Sequence, residues 1–216
     1  MRTRRMRSWK YVTVNIVLIV LSAKLQAGES SNTVLTNLEV MKELARTVTH
    51  EIIEQATISV HDSIILRFDQ DENVKIVQDP VLETLKAKGC SVFTNNDSLS
   101  GNRLMMEYSG TECRVIYGEM FRDGFLGTKR LKRNVTVQWF SKITRESNGE
   151  VLFGKTFAQE YADTVNADDV ANLEDNQFHS THAEIPSDTF FDRIIEPVVI
   201  IGATGVIVYL FFHIRG

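Results

Sequence analysis

The hydrophobic residues of this 216-residue chain change their spacing along its length, and each spacing predicts a different element. Across residues 33–56 the apolar side chains recur at three- and four-residue steps, as in Leu38, Met41 and Ala45. This period predicts an amphipathic helix that buries one face. Thr36 and Glu39 have the spacing of a capping box, which predicts that the helix begins there.

A second helix and two short strands are predicted next. Residues 63–68 are apolar and β-branched enough for a strand, and residues 90–94 resemble another. Between them, Asp79-Pro80 is typical of a helix N-terminus, and Gly89 is typical of the residue after a helix end. The first half of the chain is therefore predicted to run α-β-α-β.

After residue 103 the hydrophobic period becomes two. Residues 103–109 and 113–121 are predicted as strands on either side of a turn at Gly110-Thr111. A strand around residues 135–143 and one at 151–161 flank Asn148-Gly149, a dipeptide that favours a type I′ hairpin turn. The predicted fold class is α+β: an α-β-α-β half followed by an antiparallel β-meander, with the helices on one sheet face.

The N-terminal 27 residues have the pattern of a secretory signal. Five cations precede residues 11–23, a largely apolar run too short to cross a hydrocarbon core of about 30 Å. Cleavage after Ala27 is the favoured interpretation, and an uncleaved signal anchor remains the alternative. Both place the following domain, residues 28–162, outside the cytoplasm.

The C-terminal residues 190–216 are predicted to form a juxtamembrane turn and a single transmembrane helix. Residues 197–214 carry no formal charge and, as a helix with about 1.5 Å per residue, would extend about 27 Å. Acidic residues precede this segment and Arg215 follows it, so the large domain is expected outside and the C-terminus inside. The predicted localisation is a membrane, with the domain in a bacterial periplasm.

Charge separates these ends from the rest of the chain. Seven of the 24 basic residues lie in the two ends, whereas all 28 acids lie in residues 28–196, which therefore carry a net charge of −11. Such a surface repels phosphate backbones, so no nucleic-acid partner is expected. Residues 163–189 hold seven acids and no Lys or Arg, which predicts an acidic flexible tether.

Few residues suggest chemistry. His179 and His182 near carboxylates have the atoms of a metal site, but a solvated linker is the favoured interpretation. Asp69 and Asp71 begin like a calcium loop whose later positions do not match. We therefore assign no catalytic, cofactor-binding or metal-binding residues. A basic cluster suits either anionic lipid or the protection of a strand edge; it comprises Lys129, Arg130, Lys132 and Arg133.

Only two cysteines are present, Cys90 and Cys113. In an oxidising compartment they have the option of pairing, and two separate buried thiols are an equal alternative. Neither lies near residue 27, where a lipidated N-terminus would need one.

The stretch from Leu38 to Phe93 resembles a known family. A long helix, a strand and a Pro-started helix ending in Leu-Lys-Ala-Lys-Gly-Cys-Ser-Val are similar to the periplasmic domains of CsgG-like envelope lipoproteins and to the N-terminal domain of TolB. The Asn148-Gly149-Glu150-Val151-Leu152 hairpin is also similar to the sheet-forming half of CsgG-like domains. The resemblance implies a helix lying across a sheet that docks other envelope components. This chain departs from that pattern by lacking a lipidated cysteine.

These observations favour a membrane-anchored exported protein whose α+β domain binds or scaffolds an envelope component, with an envelope protein as partner. Since no catalytic motif is present, the chain is not expected to be an enzyme. Two alternatives remain: a membrane-tethered hydrolase that acts on an envelope polymer, and a structural subunit of a multi-pass membrane complex.

Overall fold

The computed structural model describes residues 34–94, 103–124, 127–187 and 190–215. The predicted signal peptide, residues 1–27, lies outside the described residues. The described residues from 35 to 215 form one compact unit. Its elements, in chain order, are α1 (Asn37–Gln55), β1 (Ser63–Phe68), α2 (Val74–Ala87), β2 (Ser91–Phe93), β3 (Leu104–Arg122), β4 (Lys129–Arg145), β5 (Val151–Asn166), α3 (Val170–Leu173) and α4 (Phe190–Arg215).

The strands form one five-stranded sheet in the order β2-β1-β3-β4-β5. β1 is parallel to both β2 and β3, whereas β3, β4 and β5 are antiparallel neighbours. The helix α2 connects β1 to β2, which is the crossover that a parallel pair requires. The predicted α+β class is confirmed.

The sheet has an inner face that is covered by α1 and α2, and an outer face. On β4 the odd-numbered side chains as far as Ile143 point inward, and Leu131, Val135 and Trp139 are fully buried in the hydrophobic core. The even-numbered side chains from Lys132 to Lys142 point outward and are half-buried or exposed, whereas Thr144, which follows a register shift, is buried. This alternation is the two-residue period that the sequence shows, since successive side chains of a strand point to opposite faces.

The start of α1 is as predicted. The Thr36 hydroxyl accepts a hydrogen bond from the Glu39 amide at 3.2 Å, and the Glu39 carboxylate accepts one from the Thr36 amide at 2.7 Å. These two bonds complete the capping box. They also lower the pKa of Glu39, because the backbone bond from Thr36 favours the charged carboxylate.

The predicted start of α2 at Asp79-Pro80 is wrong. The helix begins at Val74, so Pro80 lies inside it, where its missing N–H leaves out one helical hydrogen bond. The end at Gly89 is correct: Gly89 has φ +92°, and the Cys90 amide donates to the Leu85 carbonyl at 3.1 Å. This is the bond that closes a Schellman motif.

The predicted turn at Gly110-Thr111 is also wrong. β3 continues through this dipeptide, with a register shift between Ser109 and Glu112. Gly110 adopts φ +60° there, which glycine accepts without steric cost. A bulge adds one residue to the strand and reverses the inward parity, which explains why Tyr108 and Cys113 are both buried. The polar dipeptide therefore bends one strand and does not separate two.

The hairpin at Asn148-Gly149 joins β4 to β5, as predicted. The turn is not of type I′, because Gly149 has φ +71° but Asn148 has no positive φ. The Asn148 carboxamide oxygen accepts from the Glu150 amide at 3.0 Å, and this short-range bond supports a longer loop.

Residues 163–189 are predicted to be a flexible tether, but residues 163–187 are structured. Residues 163–166 complete β5, and short helical turns follow, with Val170, Leu173 and Thr181 buried. These three buried side chains hold an otherwise polar segment against the domain. The acidic composition of the segment does not predict them.

The C-terminal segment is one continuous helix, α4, and not a turn followed by a helix that starts at Pro197. Within the four described ranges, none of the helices has both the length and the apolarity that a membrane crossing requires. The structure therefore does not support the predicted transmembrane span.

Candidate functional site

A buried polar network centred on Arg133 joins three strands to the start of α1. The Arg133 side chain is 0% exposed, and its guanidinium donates to both carboxylate oxygens of Asp163 at 2.8 and 2.6 Å. It also donates to the Leu35 carbonyl at 2.8 Å and to the Asn37 amide oxygen at 2.9 Å. A bidentate pair with further bonds is the arrangement that offsets the cost of burying a charge.

Asn37 extends this network across the inner face. Its amide nitrogen donates to the Tyr117 hydroxyl and to the Thr181 carbonyl, both at 2.8 Å. Burial raises the pKa of Tyr117, so this phenol stays neutral at physiological pH. The bonds of Arg133 and Asn37 are directed at other groups of the fold. The network therefore holds α1, the sheet and the 3₁₀ turn at His179–Thr181 together and is structural in role.

The predicted basic cluster is not a single patch. Arg133 points to the inner face, whereas Lys132 points outward with 66% of its side chain exposed. Arg130 lies 3.4 Å from Asp123. Because neighbouring residues of a strand point to opposite faces, this run does not form a continuous basic surface for lipid headgroups.

The two candidate metal sites have structural roles in the fold. His182 lies 3.0 Å from the Glu174 carboxylate and 3.1 Å from the Asp175 carbonyl. Asp71 accepts from the Asn73 amide at 2.8 Å, and Asp69 from the Gly110 amide at 3.2 Å, so these carboxylates bind backbone. In the described part of the chain, no group of three His, Cys, Asp or Glu side chains is placed to hold a metal ion.

Both cysteines are free, buried thiols. Burial raises the pKa of Cys90, and it raises the pKa of Cys113 to about 12. The thiolate is the nucleophilic form of cysteine. Neither thiol is therefore activated for nucleophilic catalysis.

The outer face of β3, β4 and β5 is the first surface suited to binding. Large apolar side chains stand in it, among them Ile116 with 46% and Phe140 with 38% of their surface exposed. Polar side chains and two alanines surround them: Asn134, Thr136, Gln138, Thr156, Ala158, Glu160, Ala162 and Thr164. A flat surface of aromatic, aliphatic and hydrogen-bonding groups is typical of protein interfaces.

A shallow depression lies at each end of this outer face. One has a volume of about 440 Å³ and includes Ile116, Gly118 and Asn134, with Lys132 beside them. Gly118 contributes no side chain to it, and the amide oxygen of Asn134 has no hydrogen-bond partner among the described residues. The other, about 370 Å³, lies beside Phe140 and the Lys142–Glu107 ion pair.

The second surface suited to binding is α4. Its large apolar residues are exposed on every side of the helix, for example Ile201 at 70%, Ile207 at 66% and Phe212 at 73%. A helix that is apolar all round is buried in a core, in a partner or in lipid. α4 therefore needs an apolar environment that the described domain does not provide.

The position of Arg133 in β4 is a sequence signal for the buried polar network, although a charged residue is not normally expected in a core. Arg133 has the same parity as Leu131 and Val135, which places it on the inner face. A charged residue at an apolar parity predicts a buried ion pair. The partner Asp163 is 30 residues away, and only the register of β4 against β5 identifies it.

Comparison with known proteins does not identify a family. No family model and no curated protein matches the chain. Among solved structures, a minor lipoprotein from Acinetobacter baumannii is 12% identical, with a TM-score of 0.32, over 51% of this chain and 69% of its own. A putative neuraminyllactose-binding hemagglutinin homolog from Helicobacter pylori is 10% identical, with a TM-score of 0.28, over 49% of this chain and 66% of its own. At these TM-scores the likeness carries no argument about function.

Proposed function

We propose that this chain is an exported, envelope-associated binding protein whose outer sheet face holds a protein component of the bacterial envelope. The observation that carries the proposal is the contrast between the two sheet faces. Helices cover the inner face, whereas Ile116 and Phe140 stay exposed among hydrogen-bonding side chains on the outer face. Exposed apolar side chains set among hydrogen-bonding groups are a feature of protein interfaces.

The chemistry of the described residues favours binding over catalysis. The two thiols are buried and neutral, and the Arg133–Asp163 pair has its bonds committed to the fold. In the described ranges, no observation specifically favours the hydrolase or the multi-pass subunit.

We further propose that α4 holds the chain at a membrane. Its exposed isoleucine, valine and phenylalanine side chains are favoured in lipid by roughly 1.5–3 kcal/mol each when fully buried. Nine such side chains of α4, from Ile194 to Phe212, are exposed, so burying them together favours lipid.

Photocrosslinking in cells tests the outer face. A photoreactive amino acid at Gln138 or Phe140 in the full chain is expected to trap one discrete protein partner, and the same probe at Glu54, exposed on α1, is the matched control. Finding the same products from all three positions, or none from the outer face, would contradict the proposal.

Membrane extraction tests α4 separately. Full-length chain is expected to stay with membranes in alkaline carbonate, and replacing Ile201 and Ile207 by Asp is expected to release it. Release of the unaltered chain by carbonate would exclude attachment through a lipid-embedded helix, whatever the outer face binds.

A further inference from the structure

We infer that two copies of this chain pair through β5, edge to edge and antiparallel, so that their sheets become one ten-stranded sheet. The inference goes beyond the proposed binding function, because it concerns the strand edge and not the outer face. The occupant of the edge is a second copy of the same strand.

The two edges of the sheet differ. β2 ends one side with only three residues, whereas β5 ends the other with 16, from Val151 to Asn166. Its pairing with β4 is continuous from Gly154 to Asn166. Sheet edges are usually protected by short strands, by bulges or by proline. In β5 the register shift lies near its start, and from Gly154 to Asn166 the strand has neither a bulge nor a proline. Its charged side chains are the remaining protection, so a second strand must neutralise Lys155 and Asp163 to pair with it. Within the described residues, this stretch leaves a long row of backbone donors and acceptors at the sheet edge.

The side chains of β5 are complementary to themselves in one register. A two-fold axis perpendicular to the sheet keeps each side chain on its own face, so only residues of equal parity can be opposite each other. Lys155 is the only cation of β5, and it lies on the same face as Asp163 but on the opposite face to Glu160. Pairing Lys155 with Asp163 therefore places the axis at Gln159.

This register also matches the remaining side chains. On the inner side, Phe157 lies opposite Tyr161 of the second copy, an aromatic pair of the kind that stabilises antiparallel strands. On the outer side, Glu160 lies opposite Ala158, so no like charges meet. The carboxylate of Asp163 keeps its bonds to Arg133, and 22% of its side chain is exposed.

The groups near the axis are compatible with this pairing. Gln159 carries both a donor and an acceptor, so the two copies of its amide can bond to each other. Within each chain the Gln159 amide nitrogen also donates to the Glu51 carboxylate on α1. Lys155 donates to Gln55 at 2.9 Å and lies over the Phe157 ring at 5.1 Å. Each contact holds a β5 side chain in place beside the edge.

Cysteine crosslinking of the full chain in its membrane tests the register. Residues opposite each other in an antiparallel pair have Cα atoms about 4.5–5.5 Å apart, within disulfide range. Under mild oxidation, Gln159→Cys is expected to give a covalent dimer. Thr156→Cys is the matched control, because its two copies would be roughly 20 Å apart along the strands. Wild-type chain controls for Cys90 and Cys113, which are buried.

A second pair of variants keeps the test independent of Gln159 and its bond to Glu51. Thr156→Cys and Ala162→Cys are both exposed positions. Each alone is expected to remain uncrosslinked, and the double variant is expected to form the dimer. Crosslinking at Thr156 alone, or none at Gln159, would overturn the inference.

Mass and charge provide the last check. The detergent-solubilised chain is expected to have twice the mass of its subunit, and Lys155→Glu is expected to weaken the dimer roughly tenfold. Lys75→Glu, on the exposed face of α2, is expected to leave it unchanged. A monomeric mass for the wild-type chain, or equal dimers from both variants, would contradict β5 pairing.

Discussion

The odd- and even-numbered side chains of β4 lie on opposite faces of one sheet and differ in almost every property. Leu131, Val135 and Trp139 are 0% exposed beneath the helices, whereas Phe140 is 38% exposed on the outer face. The same backbone supports both sets, so the difference comes from what covers each face. The inner set determines the fold, and the outer set remains available for a partner. The two roles can therefore be separated by substitutions one residue apart.

The largest expected effect concerns the buried charge on the inner face. Asp163→Ala leaves the Arg133 guanidinium buried without its carboxylate, and we expect a loss of about 3–5 kcal/mol in the free energy of unfolding. Glu160→Ala removes an exposed acid from the same strand and should change stability by less than about 0.5 kcal/mol. Chemical denaturation of both variants checks this, and similar losses would contradict the network's buried role.

The next effect tests the apolar part of the inner face. Leu131→Ala creates a cavity between β4 and the helices, with an expected cost of about 2–5 kcal/mol. Lys132→Ala, the next residue along β4, should cost less than about 0.5 kcal/mol because that side chain is exposed. Equal losses of unfolding free energy for the two variants in urea would contradict the placement of Leu131 on the inner face and Lys132 on the outer face.

A smaller effect concerns the start of α1, the helix that covers the inner face. Thr36→Ala removes the hydroxyl of the capping box, with an expected loss of about 1 kcal/mol at neutral pH.

The pH dependence of that loss follows from Glu39. Its pKa is lower folded than unfolded, so its contribution is present above its ordinary pKa of about 4.3 and is lost as pH falls through the folded value. The stability difference between wild type and Thr36→Ala should therefore narrow below about pH 4. A gap that stays constant in acid would show that Glu39 does not take part.

The last prediction has the opposite sign. Ser141 is fully buried on the inner face, and its hydroxyl has no hydrogen-bond partner among the described residues. Ser141→Ala removes this uncompensated group, and we expect stability to rise by about 1 kcal/mol. Thr156→Ala, on the exposed side of β5, serves as the control and should be neutral. A loss of stability in Ser141→Ala would mean that the hydroxyl is satisfied.

Much of the fold is predictable because local signals and tertiary packing agree. The capping box of α1, the bounds of β1 and the Asn148-Gly149 hairpin all follow from short-range bonds or from a clear period. In these places a few neighbouring residues determine the conformation.

The failures occur where tertiary contacts decide. Asp79-Pro80 has the sequence of a helix start, yet the packing of Ile76 and Val77 in the core extends α2 toward its N-terminus, beyond this dipeptide. Gly110 has the sequence of a turn, yet the long pairing of β3 with β4 makes it a bulge. Neither outcome is encoded in the residues next to the motif.

The candidate binding surface was predictable only in part. The even-numbered residues of β4 could be assigned to one face, but the sequence does not say whether a layer covers that face. The ordered structure of the acidic segment after β5 is not predictable from the sequence for a similar reason. Its buried residues Val170, Leu173 and Thr181 are few, and their contacts lie far away in the chain.

The most direct test of the account is an alanine scan of residues 131–143 in the full chain. For each variant the thermal unfolding midpoint and the yield of partner trapped by a photoreactive probe at Thr156 are measured together. Odd-numbered variants other than Ser141→Ala are expected to lower the unfolding midpoint. Gln138→Ala and Phe140→Ala are expected to leave the midpoint unchanged and to reduce the yield of trapped partner. Full capture by those two outer-face variants would contradict the claim that this face binds.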